Sequence, residues 1–325
     1  MMDITKQFIE GYFPQNPDLE YYGSLSASDL TDAVKDAFSS SDMLGVLALM
    51  CGMLLISAVF KAISEGVGKG AELPLDIASG AVCCAALFTV LSTAYKATEA
   101  ALAAMLSYMG VITVSMYSID LASGHGAFTE AAGAVFAFSS VIQLVNSNLL
   151  MPLTGVCFAA SVVSCVSPST GLDGAALGIK KAVVFGLSGM AGLFSAFIGC
   201  KSIVARGAET LAVRGVKFAA QSFVPVIGAA FSESLTAYTA ALSSVRRLCG
   251  VGAIFALLFV ILPPLVTLLT SKATLYLSSL LSGTLGLEKQ SKMLLHTMEA
   301  LDILLAVLLS SFGVFVITSA LFAAV

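Results

Sequence analysis

Charged residues are scarce in this sequence, and their scarcity limits the kind of protein that it can be. Only 11% of the 325 residues are charged, whereas a soluble domain carries about 25%. Hydrophobic residues make up 58% of the chain, and long apolar runs recur from Met43 to the C-terminus. Since about 20 apolar residues cross a hydrocarbon core of about 30 Å as a helix, the composition excludes a water-exposed globule. It predicts an all-α polytopic membrane protein.

Patterns that carry chemistry are also missing. The seven cysteines lie in or beside apolar runs without a C-x-x-C pair, and we interpret them as small residues packed between helices. The glycine-rich stretch Glu65–Glu72 is not a phosphate-binding loop, because Gly70 follows Lys69 where Ser or Thr is required, and Ile63 replaces the earlier glycine. No nucleophile is paired with a base. We therefore predict that the protein is not an enzyme and binds no cofactor. If its function needs energy, we expect another protein to supply it.

The charges that are present divide the chain in two. Residues 1–42 contain two lysines against eight carboxylates, a net charge of −6, and the remainder carries +2. No basic patch with interleaved aromatics occurs, so nucleic acid is not an expected partner. We assign 1–42 to an acidic extramembrane segment and 43–325 to a membrane domain. Apolar residues on one face of Ser28–Phe38 predict a short amphipathic helix in the first segment.

Apolar length predicts membrane spans at 43–60, 77–95, 100–119, 182–200, 250–271 and 301–325. Between residues 131 and 166, Asn146–Asn148 and Pro152 interrupt the apolar run. This interruption predicts a hairpin of two shorter helices, because a backbone turn at membrane depth must be buried in protein or hydrated. Residues 218–245 are also ambiguous. The expected fold is a bundle of about seven to nine membrane helices that includes broken or re-entrant segments.

One apolar stretch, Lys217–Leu235 (KFAAQSFVPVIGAAFSESL), contains residues that a plain membrane span avoids: Pro225, Gly228 and Glu233. A carboxylate at the bilayer centre costs about 2.5–3.5 kcal/mol, and backbone groups freed by proline need internal partners. We predict that the stretch is shielded from lipid by other helices, a partner subunit or a water-filled cavity. The alternative is a surface loop in which helix 218–223 ends at Pro225.

A ridge of small residues repeats every four positions in VFGLSGMAGLFSAFIGC, at Ser188, Gly192, Ala196 and Cys200. Small side chains allow helix backbones to approach closely in lipid, where no hydrophobic drive brings helices together. We predict that another helix packs on this ridge. We expect that helix to belong to the same chain and not to a second copy of the protein.

Polar residues His296, Glu299 and Asp302 follow one another at i, i+3 and i+6 in HTMEALD. They could form a proton relay or a metal site. We prefer to interpret them as interfacial residues at the start of the last span, where the positive helix N-terminus favours carboxylates. The reason is that Asp302 no longer lies on the same face of the helix as His296.

Two stretches together carry a family resemblance. The run AETLAVRGVKFAAQSFVPVIGAAFSESLTAY (208–238) resembles the stage III sporulation protein AE family of endospore-forming bacteria, whose pattern is a basic residue, a KF step, an F-[IV]-P-V-[VI]-G-G turn and an SDA-type start. The matching residues are Arg214, Lys217, Phe218, Phe223, Pro225, Val226, Gly228 and Ser232, with Glu233 at the usual aspartate. The stretch Asn146–Pro168 resembles the family's N-x-L-P-L hairpin and the helix that follows it.

The resemblance implies a role and a set of partners. It implies a non-enzymatic, multi-pass subunit of the channel complex between mother cell and forespore, in the mother-cell-derived membrane that surrounds the forespore. The implied partners are the other proteins of the stage III sporulation A operon, among them a cytoplasmic ATPase and ring-forming subunits, and a forespore membrane protein. The alternative functions are a secondary transporter that uses residues 217–235 as its substrate site, and a scaffold without a pore.

Overall fold

The computed structural model describes residues 27–40, 43–67, 72–123, 126–166, 178–197 and 228–324. Apart from the turn at 285–287, all of these residues are helical, and no strand occurs among them. The elements are α1 (Ala27–Ser40), α2 (Met43–Val67), α3 (Glu72–Ser123), α4 (Gly126–Val145), a π-helical turn (Asn146–Leu150), α5 (Met151–Val166), α6 (Gly178–Phe197), α7 (Gly228–Thr284) and α8 (Glu288–Ala324).

The predicted class of fold is confirmed. Within the described ranges, six helical segments are long and apolar enough to cross a membrane, close to the seven to nine expected. They are Val34–Gly66, Pro74–Ser118, Gly133–Ala160, Gly178–Phe197, Gly250–Thr284 and Glu288–Ala320. The protein is therefore an all-α, multi-pass membrane protein. The predicted amphipathic helix is present as α1, which packs on α7. The boundary at residue 42 stays a prediction.

Two predicted turns are absent from the described helices. The expected spans 77–95 and 100–119 form one helix, α3, with Lys96 and Glu99 in its middle. The expected hairpin near Asn146–Asn148 is also wrong, because α4 runs through the π-helical turn into α5 and the flanking residues keep right-handed helical angles. Polar residues alone do not end a helix. Their side chains can instead find partners on neighbouring helices, and those partners are invisible in the sequence.

Pro152 explains why the helix widens into a π-helical turn at Asn146–Leu150. Proline has no N–H to donate to the carbonyl four residues earlier, and the N–H of the preceding Met151 reaches back five residues to the carbonyl of Asn146. A π-helical turn absorbs such a defect without breaking the helix. The prolines at 263 and 264 likewise lie inside the continuous helix α7.

Four helix ends meet at one end of the bundle, which we call the hairpin end. The turn 285–287 joins α7 to α8 there, and the end of α2 and the start of α3 lie beside it. From this end α3 and α8 run parallel, because contacts join Asp76 to Lys289 and Met109 to Ser319. Helix α4 runs antiparallel to α8, since Ser139 contacts Thr318 and Asn146 contacts Ser311.

The core of the bundle is apolar and is centred on α3, α7 and α8. Fully buried residues include Leu102, Met105, Leu257, Leu304 and Phe315. Buried Ser and Thr residues are tolerated because their hydroxyls donate to the carbonyl four residues earlier, as at Thr98, Thr113, Ser139, Ser278 and Thr318. A smaller cluster joins α4 and α6, where the Phe138 ring stacks on Phe194 and Phe197 at centroid distances of 5.9 and 5.0 Å.

Candidate functional site

Most residues of the predicted functional segment lie outside the described residues. Arg214, Lys217, Phe223 and Pro225 are among them, and Gly228 is the first residue of α7. Ser232 and Glu233 follow within α7, but their side chains are not described. The prediction that this segment is shielded from lipid therefore stays a prediction.

The small-residue ridge on α6 is on the surface of the described bundle. Ser188, Gly192 and Ala196 are all exposed, and a Cβ placed on Gly192 would meet no atom within 4 Å. The face that α6 does bury carries Val183, Leu187 and Phe194 instead. Packing at the ridge also stays a prediction, and no described helix supplies a partner for it.

The structure brings together three charged residues that the sequence does not group, and we call them the ion triad. Asp302 on α8 accepts from Lys272 on α7, with Oδ1 and Nζ separated by 2.5 Å. Its other oxygen, Oδ2, lies 3.6 Å from Nζ of Lys180 on α6. Each residue belongs to a segment of spanning length, and the carboxylate on α8 faces one lysine on α6 and one on α7.

The triad is partly exposed. The side chains of Lys180, Asp302 and Lys272 keep 31%, 32% and 41% of their accessible surface. Because two lysines share one aspartate, the group as a whole carries one excess positive charge. A charge inside an apolar segment is costly and normally pairs with another, and this pairing fastens α6, α7 and α8 to one another.

The two other polar residues of HTMEALD form a separate pair. Nδ1 of His296 lies 3.5 Å from Oε2 of Glu299. Our interpretation of these residues as stabilised by a helix N-terminus is wrong, because α8 begins at Glu288, about two turns before His296 and four before Asp302. The helix dipole acts within the first turn only. The sequence signal that we missed is Lys272, a lone cation inside an apolar run that required a partner.

Buried amides form a second polar contact region, between α4 and its neighbours. Nδ2 of Asn146 donates to Oγ of Ser311 over 2.7 Å, and Nε2 of Gln143 donates to the Leu102 carbonyl over 3.2 Å. Gln143 and Asn146 are almost fully buried, and the side-chain oxygen of each has no hydrogen-bond partner. Asn146, in the stretch expected to break a helix, therefore anchors this helix to α8, and Gln143, about one turn earlier, anchors it to α3.

A polar cavity of about 660 Å³ opens at the hairpin end, and its lining includes Ser57, Lys61, Glu65, Asp76, Lys289 and Gln290. Lys289 pairs with Asp76, and Nε2 of Gln290 donates to Oγ of Ser79 over 2.8 Å. Nζ of Lys61 donates to the Gly286 carbonyl over 2.9 Å. Gly286 has a φ of 68°, a left-handed backbone angle that favours glycine, and a Cβ there would lie 2.8 Å from Nζ at the flexible end of the Lys61 side chain.

Metal binding has no candidate in the part of the chain that the structure describes, since no group of three or more His, Cys, Asp or Glu side chains lies close enough together there. The ion triad offers one carboxylate already engaged by two cations.

Comparison with known families decides the identity. The sequence model of stage III sporulation protein AE matches residues 24–325. The chain belongs to the stage III sporulation protein AE family. This membership confirms the resemblance found in the two sequence stretches and assigns the protein a part in sporulation. No match was found among curated proteins or among solved structures.

Proposed function

We propose that this member of the stage III sporulation protein AE family is a non-enzymatic membrane subunit of the channel complex between mother cell and forespore. The observation that carries the proposal is the family match over residues 24–325, together with six segments of spanning length among the described residues. In this proposal the protein lies in the mother-cell-derived membrane that surrounds the forespore.

The polar contacts support a structural role over a chemical one. Both oxygens of Asp302 are engaged by lysines from other helices, which leaves the carboxylate poorly placed to take up a proton or a substrate. Asn146 and Gln143 likewise donate hydrogen bonds from their side-chain amides to groups on neighbouring helices. Such contacts hold a bundle in one arrangement, as a subunit that must present fixed surfaces to partners requires.

The proposed partners are the other proteins of the stage III sporulation A operon, including the cytoplasmic ATPase and the ring-forming subunits, and a forespore membrane protein. An energy source outside this chain agrees with the absence of a phosphate-binding loop from its sequence.

Deletion and co-purification test the proposal. In a spore-forming host, deletion should stall forespore development after engulfment, and the wild-type gene supplied elsewhere should restore heat-resistant spores. A tagged chain solubilised from sporulating cells should carry the ATPase and ring-forming subunits with it, while a tagged, unrelated multi-pass protein should not. Normal spores from the deletion strain, or purification without any of these partners, would overturn the proposal.

A secondary transporter is the alternative function, and one observation favours it: the charges of the ion triad lie inside segments of spanning length. Transporters place ionisable residues at such depth for coupling ions. The purified protein in liposomes distinguishes the two functions. A proton or sodium flux that is abolished by Asp302→Asn in protein that remains folded would favour the transporter, and its absence would favour the subunit.

A further inference from the structure

Two buried side-chain oxygens on neighbouring turns of one helix lack a hydrogen-bond donor. Gln143 and Asn146 keep only 3% and 0% of their accessible surface, and neither Oε1 of Gln143 nor Oδ1 of Asn146 accepts a hydrogen bond from a described group. Residues three positions apart share a helix face, with Cβ atoms about 5–6 Å apart. The two oxygens therefore belong to one polar place between α3, α4 and α8, which we call the amide site.

The partners of the two amide nitrogens fix which atoms stay unpaired. Nε2 of Gln143 donates to the carbonyl of Leu102 over 3.2 Å. Because a carbonyl can only accept, Oε1 of Gln143 cannot take the place of Nε2. Nδ2 of Asn146 donates to Oγ of Ser311 over 2.7 Å. Rotating the Asn146 amide by half a turn would only exchange an unpaired oxygen for an unpaired nitrogen.

The hydroxyls of the surrounding helix turns do not supply the missing donors. Ser139, Ser310 and Thr318 donate to carbonyls of their own helices over 2.8, 2.9 and 2.8 Å. Ser311 accepts from Asn146, and its own proton has no acceptor among the described residues. Buried acceptors without a donor are costly, so they are nearly always paired with protein or with ordered water.

One water molecule has the groups that the amide site requires. Its two hydrogens match the two unpaired oxygens, and its oxygen can accept from the Ser311 hydroxyl. Buried waters typically make about three such hydrogen bonds. A cation is a poorer occupant, because no carboxylate takes part in the hydrogen bonds of the amide site and its charge would stay uncompensated.

We propose that the amide site binds one internal water molecule, which donates to Oε1 of Gln143 and Oδ1 of Asn146 and accepts from Ser311. This water joins the α3 contact of Gln143 and the α8 contact of Asn146 into one three-helix connection. The proposal concerns the bundle of this chain and does not depend on its partners in sporulation.

An experimental structure of the full chain in nanodiscs tests the position of the water. We expect a density peak about 2.7–3.2 Å from both unpaired oxygens. Ordered waters elsewhere in the same map are the internal standard. A map that shows those waters but no peak at the amide site would overturn the proposal.

A double-mutant cycle in thermal unfolding tests the connection without a structure. Gln143→Met and Asn146→Leu should each lower the midpoint, and the double variant should lower it by clearly less than the sum, because both amides hold the same water. Gln290→Met combined with Asn146→Leu is the matched control. Gln290 is also buried and donates to Ser79, about 30 Å from Ser311 along α8, so its shift should add. Additive shifts for Gln143 and Asn146 would count against a shared water.

The identity of the occupant is tested with salts. Wild-type midpoints in sodium, potassium and choline chloride at equal ionic strength should coincide, because water is neutral and present in all three. A rise specific to sodium or potassium that disappears in Gln143→Met would show a bound cation in place of water and would overturn the proposal.

Discussion

Removing the single carboxylate of the ion triad is the sharpest test of the described bundle. In Asp302→Asn the shape of the side chain is kept, but Lys272 and Lys180 lose their shared anion and are left as two uncompensated cations. Both lysines lie in segments of spanning length, where an unpaired charge is costly. We expect a less stable protein with the same helical content.

The two distances between Asp302 and the lysines set the expected loss of stability and how that loss divides between the two contacts. At an effective dielectric constant of about 20, the 2.5 Å contact with Lys272 corresponds to about 7 kcal/mol of attraction and the 3.6 Å contact with Lys180 to about 5 kcal/mol. Repulsion between the lysines and the cost of desolvation offset most of this attraction. Loss of one partner from a buried pair costs about 3–5 kcal/mol. Because the triad is roughly one-third exposed, we expect about 2–3 kcal/mol.

Thermal unfolding in detergent measures the effect, and a double-mutant cycle assigns it. Asp302→Asn should lower the midpoint by about 3–4 °C. The coupling free energy between Asp302→Asn and Lys272→Gln should exceed the coupling free energy between Asp302→Asn and Lys180→Gln. The reason is that the contact of Asp302 with Lys272 is shorter than its contact with Lys180. The Asp76–Lys289 pair, about half-exposed, is the matched control and should couple by only about 0–1 kcal/mol.

Two outcomes would refute this reasoning. One is a coupling between Lys272 and Asp302 no larger than that of the control pair. The other is an Asp302→Asn protein as stable as the wild type. A further check is the triple variant Lys180→Met, Lys272→Met, Asp302→Leu, which removes all three charges and should recover most of the lost stability, because apolar replacements of a buried ion group are often neutral or stabilising.

Two further predictions concern the buried amides and the hairpin end. Asn146→Leu removes the hydrogen bond to Ser311 and should destabilise the bundle by about 0.5–1.5 kcal/mol in the same thermal assay, whereas Asn148→Leu, at an exposed position, should have no effect. An equal loss in both variants would argue against the buried contact. Gly286→Ala should cost about 1–2 kcal/mol because of its left-handed backbone, and Gly283→Ala, with open space around it, should not. A neutral Gly286→Ala would show that the turn differs from the one described.

The sequence by itself predicted the class of fold, the family and the positions of most spans. These follow from local quantities. Apolar length and low charge exclude a soluble domain, and two short patterns resemble a family whose model matches nearly the whole chain. The helix Ala27–Ser40 was also predictable, because a single amphipathic face is visible within a few turns.

The site depended on tertiary structure. Asp302, Lys272 and Lys180 are distant in the sequence and meet only because α6, α7 and α8 pack together. Asn146–Asn148 looks like a helix break when read locally, yet the helix continues through it as a π-helical turn, and Asn146 donates to Ser311 on α8. A sequence shows how much polarity a membrane helix carries, because that is a sum over its own residues. Whether the polarity ends the helix or fastens it to another depends on which side chains face it, and packing alone determines that.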